Sequence, residues 1–156
     1  MLAGSLAGAA LCGCMAPATS ALTEEQASNR QFMAQVNQTM VDFQERLDGF
    51  NDAVSAGDLV GMRTQADSAF RVLDSLEKLE APEALSDVKQ GYVEGCAAMR
   101  TALSDYIDLY GEMEGATEVD PFDWGTYDDR LAEVKQSYEE GLAKLQEADE
   151  AAAAKE

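Results

Sequence analysis

The stretch MAQVNQTMVDFQERLDGFNDAV, Met33 to Val54, decides the fold. Its large apolar residues Met33, Val36, Met40, Phe43, Leu47, Phe50 and Val54 return at spacings of three and four. That rhythm places them along one face of an α-helix, in a seam that repeats every seven residues, as in helices packed nearly parallel. A strand, with its period of two, would scatter the same residues over both faces. Upstream, Thr23 followed by Gln26 makes a capping box. Downstream, Gly57 closes the run and Asp58 caps the next helix. The spacing predicts a first helix over 23–56.

The pattern continues along the chain. A second helix over 58–80 carries Leu59, Met62, Ala66, Ala69, Leu73 and Leu76 on its seam. Pro82, suited to the first helical position, opens a third over 82–114. A fourth, over 120–148, sets Tyr127, Leu131, Val134, Tyr138, Leu142 and Leu145 on one face. Asp120 is expected to cap it, Pro121 to start it and Val119 to staple onto Trp124. Asp42/Arg46, Asp67/Arg71, Asp74/Lys78 and Glu140/Lys144 place an acid four residues before a base, the favourable order on a helix surface. Residues 151–156 read as a frayed tail.

No strand-like alternation appears, and short connections make antiparallel neighbours. The fold class is therefore all-α: an antiparallel up-down-up-down four-helix bundle over 23–150 with left-handed, heptad-like packing. The first and third helices outrun the second, so part of an apolar seam is expected to overhang and to need a partner or a cleft.

Composition bounds the function. The chain carries 30 acidic against 11 basic residues, a net charge of −19, and no histidine. Nucleic acid is excluded as a partner, because phosphates require Lys/Arg neutralisation. Without histidine, Ser-His-Asp and Cys-His catalysis and Glu-x-x-His metal sites are excluded. The reading is of a protein that is not an enzyme and has no cofactor.

Four further features are candidate sites. The loop EVDPFDWGTYDD, Glu118 to Asp129, is acidic. With Gly125 in the invariant glycine position of an EF-hand, Phe122 and Trp124 fall on ligand positions and Leu131 on the bidentate glutamate, so that motif fails. Asp120, Asp123, Asp128 and Asp129 remain weak candidates for a non-standard cation site. Phe122 and Trp124 are candidates for contact with a partner. Tyr92, Tyr106, Tyr110 and Tyr138 are candidates for lining an inter-helix crevice. Met33, Met40, Met62, Met99 and Met113 all fall on seams and read as core filling rather than soft-metal ligands. In GYVEG, Gly91 to Gly95, the second glycine is expected to admit a neighbouring helix at Tyr92 or Tyr106.

Ahead of the helices lies LAGAALCGCMAPATSALTEEQ, Leu6 to Gln26, whose first part is apolar, small and uncharged. Leu11-Cys12-Gly13-Cys14 resembles the lipobox of bacterial lipoproteins: a branched apolar residue, two small positions, then the cysteine. The resemblance implies a signal peptide over 1–13; the family's usual Lys/Arg n-region is missing, as either a start codon assigned too far downstream or an N-terminal truncation would leave it. It also implies cleavage after Gly13, acylation of Cys14 and a flexible tether over 14–22. Several acyl chains on one residue hold a protein stably on a bilayer. The expected location is extracytoplasmic, anchored to the membrane through Cys14, and the chain resembles the small helical-bundle lipoproteins of Gram-positive bacteria. With Cys12 removed and Cys14 acylated, Cys96 is left without a disulfide partner. Two functions are compatible with these features: an interaction or structural module that meets another envelope protein, or a small-ligand or cation-binding lipoprotein using the tyrosine crevice or the 120–129 loop.

Overall fold

Thr23 opens the first helix as its spacing with Gln26 requires. Its hydroxyl accepts from the Gln26 N–H, and the Gln26 side chain accepts from the Thr23 N–H, both at 3.1 Å. In this computed structural model, which describes residues 23–155, α1 runs Glu24–Ala56, α2 Leu59–Glu77, α3 Ser86–Gly115 and α4 Tyr127–Ala153. Short 3₁₀ turns at Glu83–Leu85 and Trp124–Thr126 lead into α3 and α4. No strand occurs among the described residues. The proposed leader, Cys14 and the tether lie outside them.

The α1–α2 junction follows its sequence signals. Gly57 adopts φ 65°, the left-handed conformation that glycine tolerates best. The Gly57 N–H then reaches the Val54 carbonyl, and the Asp58 N–H the Ala53 carbonyl. The Asp58 carboxylate accepts from the Gly61 N–H at 2.9 Å, capping α2. Asp58→Ala is expected to cost about 1 kcal/mol, read as a lowered urea midpoint at unchanged m-value.

Three expected boundaries are corrected. Pro82 precedes the 3₁₀ turn rather than starting α3, which begins only at Ser86. Asp120 and Pro121 do not begin α4. Thr117 and Asp120 close a turn of their own, with the Asp120 N–H on the Thr117 hydroxyl, while Asp123 caps the entry by accepting from the Gly125 N–H. Val119 is 95% exposed and staples nothing. The tail is not frayed: α4 continues to Ala153, Ala152 is buried, and Lys155 bonds the Ala84 carbonyl at 2.8 Å and pairs with Asp87.

The expected ion pairs mostly find other partners. Only Glu140–Lys144 forms, at 4.0 Å, and Lys144 lies nearer Glu94 of α3, at 3.1 Å. Asp42 accepts from Gln38 instead, and the Arg71 guanidinium bonds the Asp67 carbonyl. Asp74 is taken by Arg100 of α3 at 2.6 Å, whose guanidinium also lies 4.9 Å above the Phe70 ring. That site, half-shielded and backed by an aromatic face, outcompetes an exposed pair along one helix.

One core collects residues from all four helices, with Met62, Leu73, Leu76, Tyr92, Cys96 and Met99 among its most buried side chains. The seams read in α1 and α2 are largely buried, with Phe32 and Ala53 as additions, and α3 buries Val88, Tyr92, Gly95, Met99, Ala102, Leu103, Ile107 and Leu109. In α4 the seam fails. Of Tyr127, Leu131, Val134, Tyr138, Leu142 and Leu145, only Val134 is buried, and Leu142 is 44% exposed. The buried face is instead Val134, Gly141, Ala148 and Ala152.

Glycine explains the difference. A Cβ on Gly95 of α3 would sit 3.1 Å from the Gly141 carbonyl oxygen and 2.8 Å from Leu145 Cγ. A Cβ on Gly141 would meet Met99 Cγ and Sδ at 2.7 Å. The two backbones meet across these bare positions, and dispersion between close-packed atoms holds α4 on α3. Gly95 does admit a neighbouring helix, but at Gly141 and Leu145 rather than at Tyr92 or Tyr106.

Candidate functional site

With its small residues against α3, α4 turns its large apolar ones sideways, toward α1. The two helices do not close on each other. A cleft of ≈ 240 Å³ opens between Leu47, Phe50 and Val54 of α1 and Leu131, Val134 and Tyr138 of α4, floored by Ala102, Leu103 and Tyr106 of α3. Next along the same seam, and sharing Leu47, a groove of ≈ 370 Å³ runs between Met40, Val41 and Phe43 and the α4 residues Leu142 and Leu145. Polar side chains stand at its edges: Asn51 and Lys135 beside the first opening, Asn37, Gln44 and Asp149 beside the second. The cleft and its extension span α4 from Leu131 to Leu145, roughly 21 Å at the helical rise.

Of the four candidate tyrosines, the structure brings two to this cleft, Tyr106 and Tyr138. The Tyr106 ring meets Phe50 edge-on at 6.0 Å and stacks on Tyr110 at 6.5 Å. Burial, then the neighbouring Tyr127 and Tyr110, push its hydroxyl pKa up, so it stays a neutral donor. Tyr110 turns away, its hydroxyl on the Gly57 carbonyl at 3.3 Å. Tyr92 lies in the core with its hydroxyl on Asp149, and burial, followed by that carboxylate, raises its pKa.

No known protein family, curated protein or solved structure matches this chain.

The second candidate region stands where α3 gives way to α4. Phe122 and Trp124 pack edge-on at 5.0 Å, and Tyr127 completes the group at 6.4 and 5.8 Å from them. Phe122 and Tyr127 are half-buried, while Trp124 is 66% exposed. The acidic side chains around them do not converge. Asp123 is committed to the Gly125 N–H, Asp120, Asp128 and Asp129 are exposed, and among the described residues no group of three or more carboxylates or thiols is placed to hold a metal ion. The sequence pattern showed the acids without showing that a local turn separates Asp120 from Asp123.

Cys96 is buried, and desolvation, with Glu77 nearby, pushes its thiol up to about 12. Such a thiol is protonated and inert at neutral pH. Cys14, the proposed acylation site, lies outside the described residues. Among those residues no charged side chain is buried, so the cleft offers shape and apolar surface rather than an activated group. What sequence reasoning missed is the cleft's cause, although Gly141, Ala148 and Ala152 on one α4 face were the signal for it.

Proposed function

We propose that this protein is a lipid-anchored, extracytoplasmic interaction module whose α1–α4 cleft receives an amphipathic helix of another envelope protein. The observation that carries the reading is the stripe Leu131, Tyr138, Leu142 and Leu145, which lines an open groove, with Leu142 exposed and Tyr138 and Leu145 only partly buried at the core's edge. Apolar surface of this kind is stabilised by covering it, at about 25 cal/mol per Å² removed from water. The groove's length suits about four turns of a partner helix, whose side chains at i, i+3/i+4 and i+7 would enter the two openings. A net charge of −19 favours a partner with basic flanks and repels nucleic acid and anionic lipid headgroups.

The finer architecture belongs to the same proposal: an antiparallel, up-down-up-down four-helix bundle with left-handed, heptad-like packing. Supporting it are the α3–α4 pairings Asp87–Lys155, Glu94–Lys144 and Glu112–Arg130, in which one number rises as the other falls. Attachment rests on the lipobox-like Leu11-Cys12-Gly13-Cys14. Intact mass of the membrane-extracted protein should show a chain beginning at Cys14 and carrying acyl groups; an unlipidated chain, or one that keeps its leader, would overturn the anchor.

The cleft is tested with a helical peptide carrying leucines at those spacings and lysines at both ends. Binding is expected, and Leu142→Lys, at a position exposed enough to leave the fold intact, should weaken it about tenfold. Equal affinity for the two proteins would refute the cleft as the docking site. The presence of Tyr106 and Tyr138 supports a second reading, a small apolar ligand. A metabolite that raises the melting temperature of the wild type but not of Leu131→Lys, a change in the tyrosine-lined opening, would favour that one, since anything binding only the folded state stabilises it.

A further inference from the structure

We infer that the Phe122–Trp124–Tyr127 knuckle is a second docking surface, one that takes a Lys/Arg-rich segment of another polypeptide. The rings are a fixed platform rather than a loose loop. Asp123 ties down the Gly125 N–H at 2.9 Å, the Thr126 hydroxyl bonds the Asp123 carbonyl at 3.0 Å, and Phe122 meets both other rings edge to face while Trp124 and Tyr127 tilt against each other. Trp124, the only tryptophan in the chain, nevertheless keeps most of its surface in water.

The surroundings select the partner's charge. Between positions 112 and 133 the chain carries eight carboxylates, all exposed, and one base, Arg130. That base is already used, because its guanidinium is held in a fork by Glu112, with Nη2 on Oε1 at 2.9 Å. The platform therefore combines electron-rich ring faces with unneutralised negative charge. Lys and Arg side chains satisfy both terms, by cation–π contact with the rings and by pairing with the flanking acids. An anionic segment meets repulsion, and a purely apolar one leaves the acids unused.

The surface adjoins the Leu131 end of the cleft, far from Leu142, and lies at the opposite end from Thr23. The Tyr110 hydroxyl reaches the α1–α2 turn at Gly57, whereas Gln26 and Asn29 of α1 lie with Leu85, Ala152 and Lys155 at the other end.

Trp124 supplies its own readout. Titrating the full protein with octa-arginine at about 0.15 M salt, where the Debye length is near 8 Å, should shift Trp124 emission saturably, and octa-glutamate should not. By anisotropy of the labelled peptide, a Phe122→Ala/Trp124→Ala variant should bind about tenfold more weakly. Glu24→Gln/Glu25→Gln, which removes two carboxylates at the far end, should bind within about twofold of wild type. Leu142→Lys, which alters only the cleft, should bind normally, so failure of the cleft reading and failure of this one are distinguishable. Equal losses in the aromatic and the Glu24/Glu25 variants would mean that bulk acidity holds the peptide, and would overturn the inference. So would absence of binding at this salt, or a Trp124 response to tetramethylammonium with none to the peptide.

Discussion

Replacing buried Gly141 by leucine is expected to lower the melting temperature by roughly 10 °C or more. A Cβ alone would sit 2.7 Å from Met99 Cγ and Sδ and 3.0 Å from the Met99 backbone nitrogen. Met99 is fully buried and has nowhere to move. Overpacking of this sort costs about 1–3 kcal/mol for a small excess, and the remaining leucine atoms add to it. The helix-propensity gain on leaving glycine, about 1 kcal/mol, is too small to offset the clash. Gly49 is the control. There a Cβ would meet only the terminal amide of Gln65, which swings aside, so Gly49→Ala should be neutral or raise stability by up to about 1 kcal/mol. Thermal melts of both variants decide the matter; similar losses in the two would show that the α3–α4 contact is not specially close.

The second large effect is kinetic. Cys96 in the folded protein should react with iodoacetamide at pH 8 at least about a thousandfold more slowly than in denaturant, followed by mass of the peptide that contains it. A thiol raised from 9.0 to about 12 carries roughly a thousandth of the thiolate at that pH, and burial blocks access as well. Comparable rates with and without denaturant would place Cys96 at the surface. The same shift has a pH consequence. An acid whose pKa is higher folded than unfolded binds more protons in the folded state between the two values, so stability falls as pH rises. For Cys96 the stabilising contribution is whole below pH 9 and is lost between 9 and about 12. Tyr92, also raised, adds a loss above pH 10. Alkaline unfolding is therefore expected well before any arginine deprotonates.

The interaction readings depend on the same packing. If Gly141 and Ala148 were larger, α4 would stand off from α3 and its leucines would be free to rotate into the core, closing the cleft that receives the proposed partner helix. The substitution that tests α4 seating thus bears on the peptide experiment: a Gly141→Leu protein that still folds should show altered peptide binding without any change at the aromatic knuckle.

Much of the architecture was legible in the residues. Helix class followed from the spacing of three and four in Met33–Val54, because only a helix puts those positions on one face. The Thr23/Gln26 box, the Gly57 stop and the Asp58 cap are local hydrogen-bond devices, complete within a few residues, and each stands where the sequence puts it. The α4 entry was not legible. Asp120-Pro121 and Asp123 are both competent signals, and the choice between them rests on the Thr117–Asp120 turn. The tail misled for a related reason: Ala151 to Ala154 resembles a fraying end, but the Lys155 contacts with Ala84 and Asp87 depend on where α3 begins.

Sequence alone determined that the described chain is helical, where α1 ends and α2 begins, and that Met62 and Met99 are core. Tertiary structure alone decided which face of α4 is buried. A hydrophobic pattern ranks faces by how much each gains from leaving water, and by that measure the leucine stripe should have won. Close packing ranks them by fit as well. Gly91 and Gly95 on α3 let α4 approach closely at Ala148, Gly141 and Leu145, so Gly141, Ala148 and Ala152 are buried while Leu142 is left at the rim of a groove.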